Sequence, residues 1–95
     1  MIGRDQLDIR VHAAQRMLDR SISVADNLVV LNTGVTIEDY PEDTPLPSRL
    51  TLGWIGPRPL HLVWAGVPGA SRIVIIMSKW KSANTSRRNE GAPGA

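Results

Sequence analysis

The sequence contains no cysteine. Disulfides and thiolate metal sites are therefore excluded, and a reducing compartment is permitted. No apolar run approaches the roughly 20 residues that a membrane helix needs. The opening Met1-Ile2-Gly3-Arg4-Asp5 lacks the apolar stretch of a secretory signal. The expectation is a cytoplasmic protein with no membrane partner. Histidine is scarce, with only His12 and His61. Neither EF-hand spacing nor an H-E-x-x-H run is present. Catalytic zinc usually takes three protein ligands, so a zinc hydrolase ranks last among the readings and no metal or cofactor is expected. Acid is scarce at the end of the chain. Residues 73–95 hold Glu90 alone against Lys79, Lys81, Arg87 and Arg88, and such a basic excess can attract phosphates.

What is present suits one domain. The chain has 95 residues, 42% of them hydrophobic, and a net charge of +2, enough for a real core without staples. Residues 1–82 read as a single domain and 83–95, rich in Gly, Ala, Ser and charge, as a disordered basic tail. A first helix is expected over Asp8–Arg20, capped by Asp8, with Val11, Ala14, Met17 and Leu18 as its apolar stripe. Ser23 and Asp26 form a short capping box that opens a second helix, which Thr33-Gly34 ends.

After Gly34 the period changes to alternation. Val35–Tyr40 reads as a strand, and Pro41–Ser48, with three prolines and two acids, as a loop. Leu50, Leu52 and Trp54 alternate along a second strand. Leu60, Leu62 and Trp64 alternate along a third, with His61 on its opposite face. Ile73–Ser78 is a fourth strand, apolar enough to be buried on both sides. The expectation is an α+β domain, α-α-β-β-β-β, with two N-terminal helices packed on one face of a four-stranded, mainly antiparallel sheet.

Several segments resemble a bacterial domain-of-unknown-function family, the one numbered four-two-five-eight. They are His12-Ala13-Ala14-Gln15-Arg16-Met17 through Ser23, Asn32-Thr33-Gly34, Ile37-Glu38-Asp39-Tyr40-Pro41, Pro47-Ser48-Arg49-Leu50-Thr51-Leu52-Gly53 and Pro59-Leu60-His61-Leu62-Val63. The resemblance spans roughly residues 9–80 in the family's order. That family in turn looks similar to RelE-like ribonuclease toxins. The resemblance implies a RelE/barnase-like fold, RNA as substrate and a cognate antitoxin protein as partner. One departure is visible. Where the family ends its last strand with a Thr-x-Tyr type segment, this chain has Ser78-Lys79-Trp80, which keeps a hydroxyl and an aromatic and loses the phenol.

Metal-independent RNA cleavage needs a base for the 2′-hydroxyl, an acid for the leaving 5′-oxygen and positive charge on the phosphorane. His12 and Arg16 are four apart, about 40° on a helical wheel, and share a face. They pair an imidazole with a cation able to fork onto phosphate. His12, Arg16 and His61 are the candidate catalytic residues. Arg20, Tyr40, Ser78, Lys79 and Trp80 are the candidate substrate contacts, Ser78 as a hydrogen-bond donor and Trp80 as the best base-stacking aromatic of the three tryptophans. Plainer roles exist for each. His12 can cap its helix, Arg16 can pair with Asp19 or the acidic loop, His61 can be a satisfied strand histidine, and Tyr40 can lock its loop to the sheet. The acidic cluster Glu38, Asp39, Glu42 and Asp43 would repel RNA, so it is expected away from the active face. The competing reading is a non-catalytic module binding protein or nucleic acid on the same fold.

Overall fold

The computed structural model describes residues 1–81. The expected tail at 83–95 lies outside the described residues. After a short 3-10 turn at Arg4–Gln6, the elements are β1 (Leu7–Ile9), α1 (Val11–Asp19), α2 (Val24–Thr33), β2 (Val35–Tyr40), β3 (Ser48–Ile55), β4 (Arg58–Val67) and β5 (Arg72–Trp80). The sheet has five strands in the order β1-β5-β4-β3-β2. The last four strands in sequence form the expected antiparallel meander. No described helix is long and apolar enough to cross a membrane.

The α+β architecture agrees with the sequence, but the strand count and the start of the first helix do not. Leu7, Asp8 and Ile9 pair in parallel with Ile73, Val74 and Ile75, so the sheet is mixed. Asp8 is a strand residue, and the residue preceding α1 is Arg10, whose side chain makes no capping bond. Three residues are too few to display a period of two against the helical pattern that follows. Only the pairing with β5 gives them their conformation.

The second helix begins as read. The Ser23 hydroxyl accepts from the Asp26 N–H at 3.0 Å, and the Asp26 carboxylate accepts from the Ser23 N–H at 3.0 Å. Gly34 ends it because nothing larger fits: a Cβ there would lie 2.6 Å from the Val30 carbonyl oxygen and 2.7 Å from that of Leu52.

The core lies between α2, the inner side of α1 and one sheet face. It is built on Met17, Ile22, Val30, Leu60, Leu62 and Ile75, with Ile73 beside them. The α1 stripe is rotated from its sequence reading. Ala13 and Met17 are buried, whereas Val11 and Leu18 are 71% and 80% exposed. A helix seated at a sheet edge touches it along a narrow line, so the i, i+4 pair Ala13 and Met17 takes the whole contact. On β3 the buried residues Thr51 and Gly53 face the helices, because α2 sits so close that Val30 Cγ2 would be 2.8 Å from a Cβ at Gly53. Leu50, Leu52 and Trp54, which alternate with them, therefore occupy the opposite face.

The core also holds one polar bridge. Asn27 is completely buried and accepts a 2.7 Å hydrogen bond from the Ser78 hydroxyl, tying α2 to β5. Replacing it with alanine leaves that hydroxyl unpaired in an apolar setting, which costs about 1–3 kcal/mol. For Asn27→Ala we expect a denaturant midpoint lowered with an unchanged m-value in urea unfolding followed by circular dichroism. Unaltered stability would mean that the bridge contributes nothing net.

Candidate functional site

Strand alternation divides the sheet into two faces. Leu60, Leu62 and Ser78 point at the helices, so His61, Val63 and Lys79 point away from them. Cross-strand register places Leu52 beside His61 and His61 beside Lys79. Between Val63 and Trp64 the pairing with β5 shifts, and Ile76 is the additional residue. A bulge of this kind bends its strand and re-aims the side chains around it. Here it leaves Ile76 and Met77 lining a groove against α1, whose other walls are His12, Ala13, Arg16 and Arg20. The groove encloses about 360 Å³.

A second cavity, of about 480 Å³, adjoins it at the start of α1. Its lining includes His12, Arg10, Ala65, Val74 and the loop residues Asp43 and Leu46. The loop after β2 thus reaches back across the outer face, held by a 2.5 Å hydrogen bond from the Ser48 hydroxyl to the Asp43 carboxylate. The expectation that the whole acidic cluster stands clear of His12 fails at Asp43. Glu38 shares the outer face but, like Asp39, sits on the far edge strand β2, away from His12. The cause is the loop's fold, which composition does not encode.

The predicted site residues fall into two groups. His12, Arg16 and Arg20 share the α1 groove. The Arg20 guanidinium donates to the Ser78 carbonyl at 2.9 Å and is thereby fixed over β5. Among the described residues the ion pairs are Arg10 with Asp8 and Arg49 with Asp39. Arg16 is therefore not neutralised by Asp19 or by the acidic loop. His61 and Lys79 lie on the same outer side, paired across β4 and β5. The two histidines share a face but not a cavity. His12 stands at the level of Ile76, and His61 stands opposite Lys79, three residues or roughly 10 Å further along β5.

The other three predicted contacts join neither group. Ser78 is 1% exposed and its hydroxyl is committed to Asn27. Trp80 donates its indole N–H to the Arg20 carbonyl at 2.6 Å, and the Arg58 guanidinium lies over its ring at 3.8 Å, so one ring face is already occupied within the chain. Both follow from the register, which turns even-numbered residues at the end of β5 inward. Tyr40 is on edge strand β2, separated from β5 by β3 and β4. Its hydroxyl donates to Glu38 at 2.5 Å. That bond, some desolvation and the charges of Glu38 and Asp43 raise the phenol above its ordinary 10.0, which keeps it protonated at neutral pH. Sequence reasoning missed Met77 and Lys81. Met77 links the groove to the His61 side. Lys81 was seen only as part of the basic tail.

The His61 imidazole is half-buried and held below its ordinary 6.5 by desolvation first, then by the positive charges of Lys81 and Lys79. It is thus neutral, with a free acceptor nitrogen, at neutral pH. The unfolded chain takes up this proton near 6.5 and the folded chain resists it. The contribution to stability is complete above 6.5 and is lost as pH falls toward the lowered value. We expect an NMR titration midpoint below 6.5 for His61. In Lys79→Ala it should rise without reaching 6.5, since burial is the larger cause. A midpoint at 6.5 or above in the wild type would contradict this account.

Among the described residues no three His, Asp or Glu side chains converge as a metal site would require. Searches of the curated proteins and of the solved structures gave no match. A family model does match, over residues 9–78, the span that contains His12, Arg16, Arg20, His61 and the two cavities. The chain therefore belongs to the family described as Domain of unknown function (DUF4258).

Proposed function

We propose that this protein is a metal-independent endoribonuclease of the RelE-like toxin type, held inactive by an antitoxin that covers the outer sheet face. The observation that carries the reading is the collection of His12, Arg16, Arg20, His61 and Lys79 on one side of the sheet, three of them around a groove. Two imidazoles and fixed cations supply the parts that phosphodiester transfer needs. Neutral His61 takes the proton of the 2′-hydroxyl as its oxygen attacks phosphorus. Arg16 and Arg20 hold the non-bridging oxygens. His12 protonates the departing 5′-oxygen. The products are a 2′,3′-cyclic phosphate and a 5′-hydroxyl end.

The test is incubation of the purified protein with RNA in the presence of a chelator. Cleavage with cyclic-phosphate ends, together with growth arrest on expression in bacteria, is the expected result. RNA left intact at high protein concentration overturns the catalytic reading. A second reading, binding without cleavage, is favoured by one feature: the separation of roughly 10 Å along β5 between the levels of the two histidines. It predicts RNA binding that His61→Ala does not change.

A further inference from the structure

Trp54 is the large aromatic that the core does not use. It is 58% exposed, whereas Trp64 and Trp80 are partly buried with their indole N–H groups bonded to the Thr51 hydroxyl and the Arg20 carbonyl. It lies on β3 opposite Pro59, two residues beyond Leu52, whose cross-strand partner is His61. Alternation with buried Gly53 turns it to the outer face, the side that His61 also occupies. Across β4 from it stand Lys79, paired with His61, and then Lys81, whose N–H continues the ladder to the Pro59 carbonyl at 2.9 Å. This corner of the sheet thus combines one open indole, one imidazole and two ammonium groups. Among the described residues the nearest acid on the same face is Glu38, opposite Leu50, four residues or roughly 13 Å along β3 from Trp54.

We infer that the corner formed by Trp54, His61, Lys79 and Lys81 is a binding site for single-stranded polynucleotide, with a base stacked on Trp54 and the adjoining phosphates on the two lysines. Sites that hold single strands without reading sequence combine an aromatic platform with a basic track. The cores of protein–protein interfaces are depleted in lysine, so this pairing of residues fits a nucleic acid better than a protein. The indole face is large and open, and any base can stack on it. The inference deepens the reading of the outer face as an RNA site and does not need cleavage to be true. It replaces Trp80 by Trp54 as the stacking residue and gives the strand a direction, from the α1 groove across β5 and β4 to the end of β3.

The test uses fluorescein-labelled oligo(dT) of about ten nucleotides, which has no 2′-hydroxyl and cannot be cleaved by the proposed route, and oligo(U) of equal length. Anisotropy titration is expected to show both binding. Trp54→Ala is expected to weaken both by about ten-fold, with Trp54→Phe nearer to wild type. Lys79→Ala should weaken binding and reduce its salt dependence. An unchanged Kd in Trp54→Ala overturns the inference. So does a wild type that binds neither oligonucleotide, an outcome that would assign the exposed indole to a protein partner. Binding with these effects but no RNA cleavage would leave this site standing and remove the ribonuclease.

Discussion

His61→Ala is expected to lower the rate of RNA cleavage by roughly 100- to 10,000-fold, the range for loss of a positioned general base. The folded state should be little affected, because the imidazole is half-buried on the outer face and no packing of the helix side depends on it. The pH profile carries the more specific signature. A base must be neutral to act, and burial together with Lys81 and Lys79 holds His61 below 6.5. The acidic limb of kcat/KM therefore falls below 6.5, with activity lost as pH drops through that lowered value. Lys79→Ala should move the limb upward. If His61→Ala cleaves as well as wild type, the assignment of the base is wrong, whatever binds at Trp54.

Gly53→Val should be the most damaging small change in the fold. The position lies directly beneath α2. An added Cβ would meet Val30 Cγ2 at 2.8 Å and the Val30 Cα at 3.0 Å. The second of these is backbone, so a rotamer change cannot relieve it. Either the helix lifts from the sheet or β3 bends away, and both open the core around Leu60 and Leu62. Overpacking of this kind typically costs 1–3 kcal/mol. The backbone contact places this case near about 3 kcal/mol, a fall in Tm of roughly 12–24 °C for a domain of this size. Trp54→Ala is the matched control, one residue along the same strand but exposed, and its Tm should stay close to wild type. A Gly53→Val protein as stable as wild type would show that α2 does not rest on β3 as described.

These two positions also show where the sequence was legible. Alternation in Leu60-His61-Leu62 put His61 opposite the core leucines, and the structure agrees. The same alternation in Leu50-Thr51-Leu52-Gly53-Trp54 separated the two faces of that strand without saying which of them the helices cover. The buried residues there are Thr51 and Gly53, because the approach of α2 leaves no room for a larger side chain at Gly53. Hydrophobicity ranks side chains by transfer free energy. It does not say which face of a strand a helix will cover. Ser78 and Trp80 were misplaced for the same reason. Their chemistry was readable, but the direction they face depends on a register that includes the shift at Val63 and Trp64.

By itself the sequence determined the features that depend on near neighbours. These include the Ser23–Asp26 box, the stop at Gly34, the four-strand meander and the shared helical face of His12 and Arg16. Each is fixed within a few residues by hydrogen-bond geometry or side-chain period. Only the tertiary structure decided the fifth strand, which is held by pairing with residues more than sixty positions away. It also decided which sheet face is open, the return of Asp43 to the His12 cavity, and the company of His61 with Lys79, Lys81 and Trp54. Those relations arise from contacts distant in the chain, where register and the separation of packed layers, set by the whole core at once, determine which side chains meet.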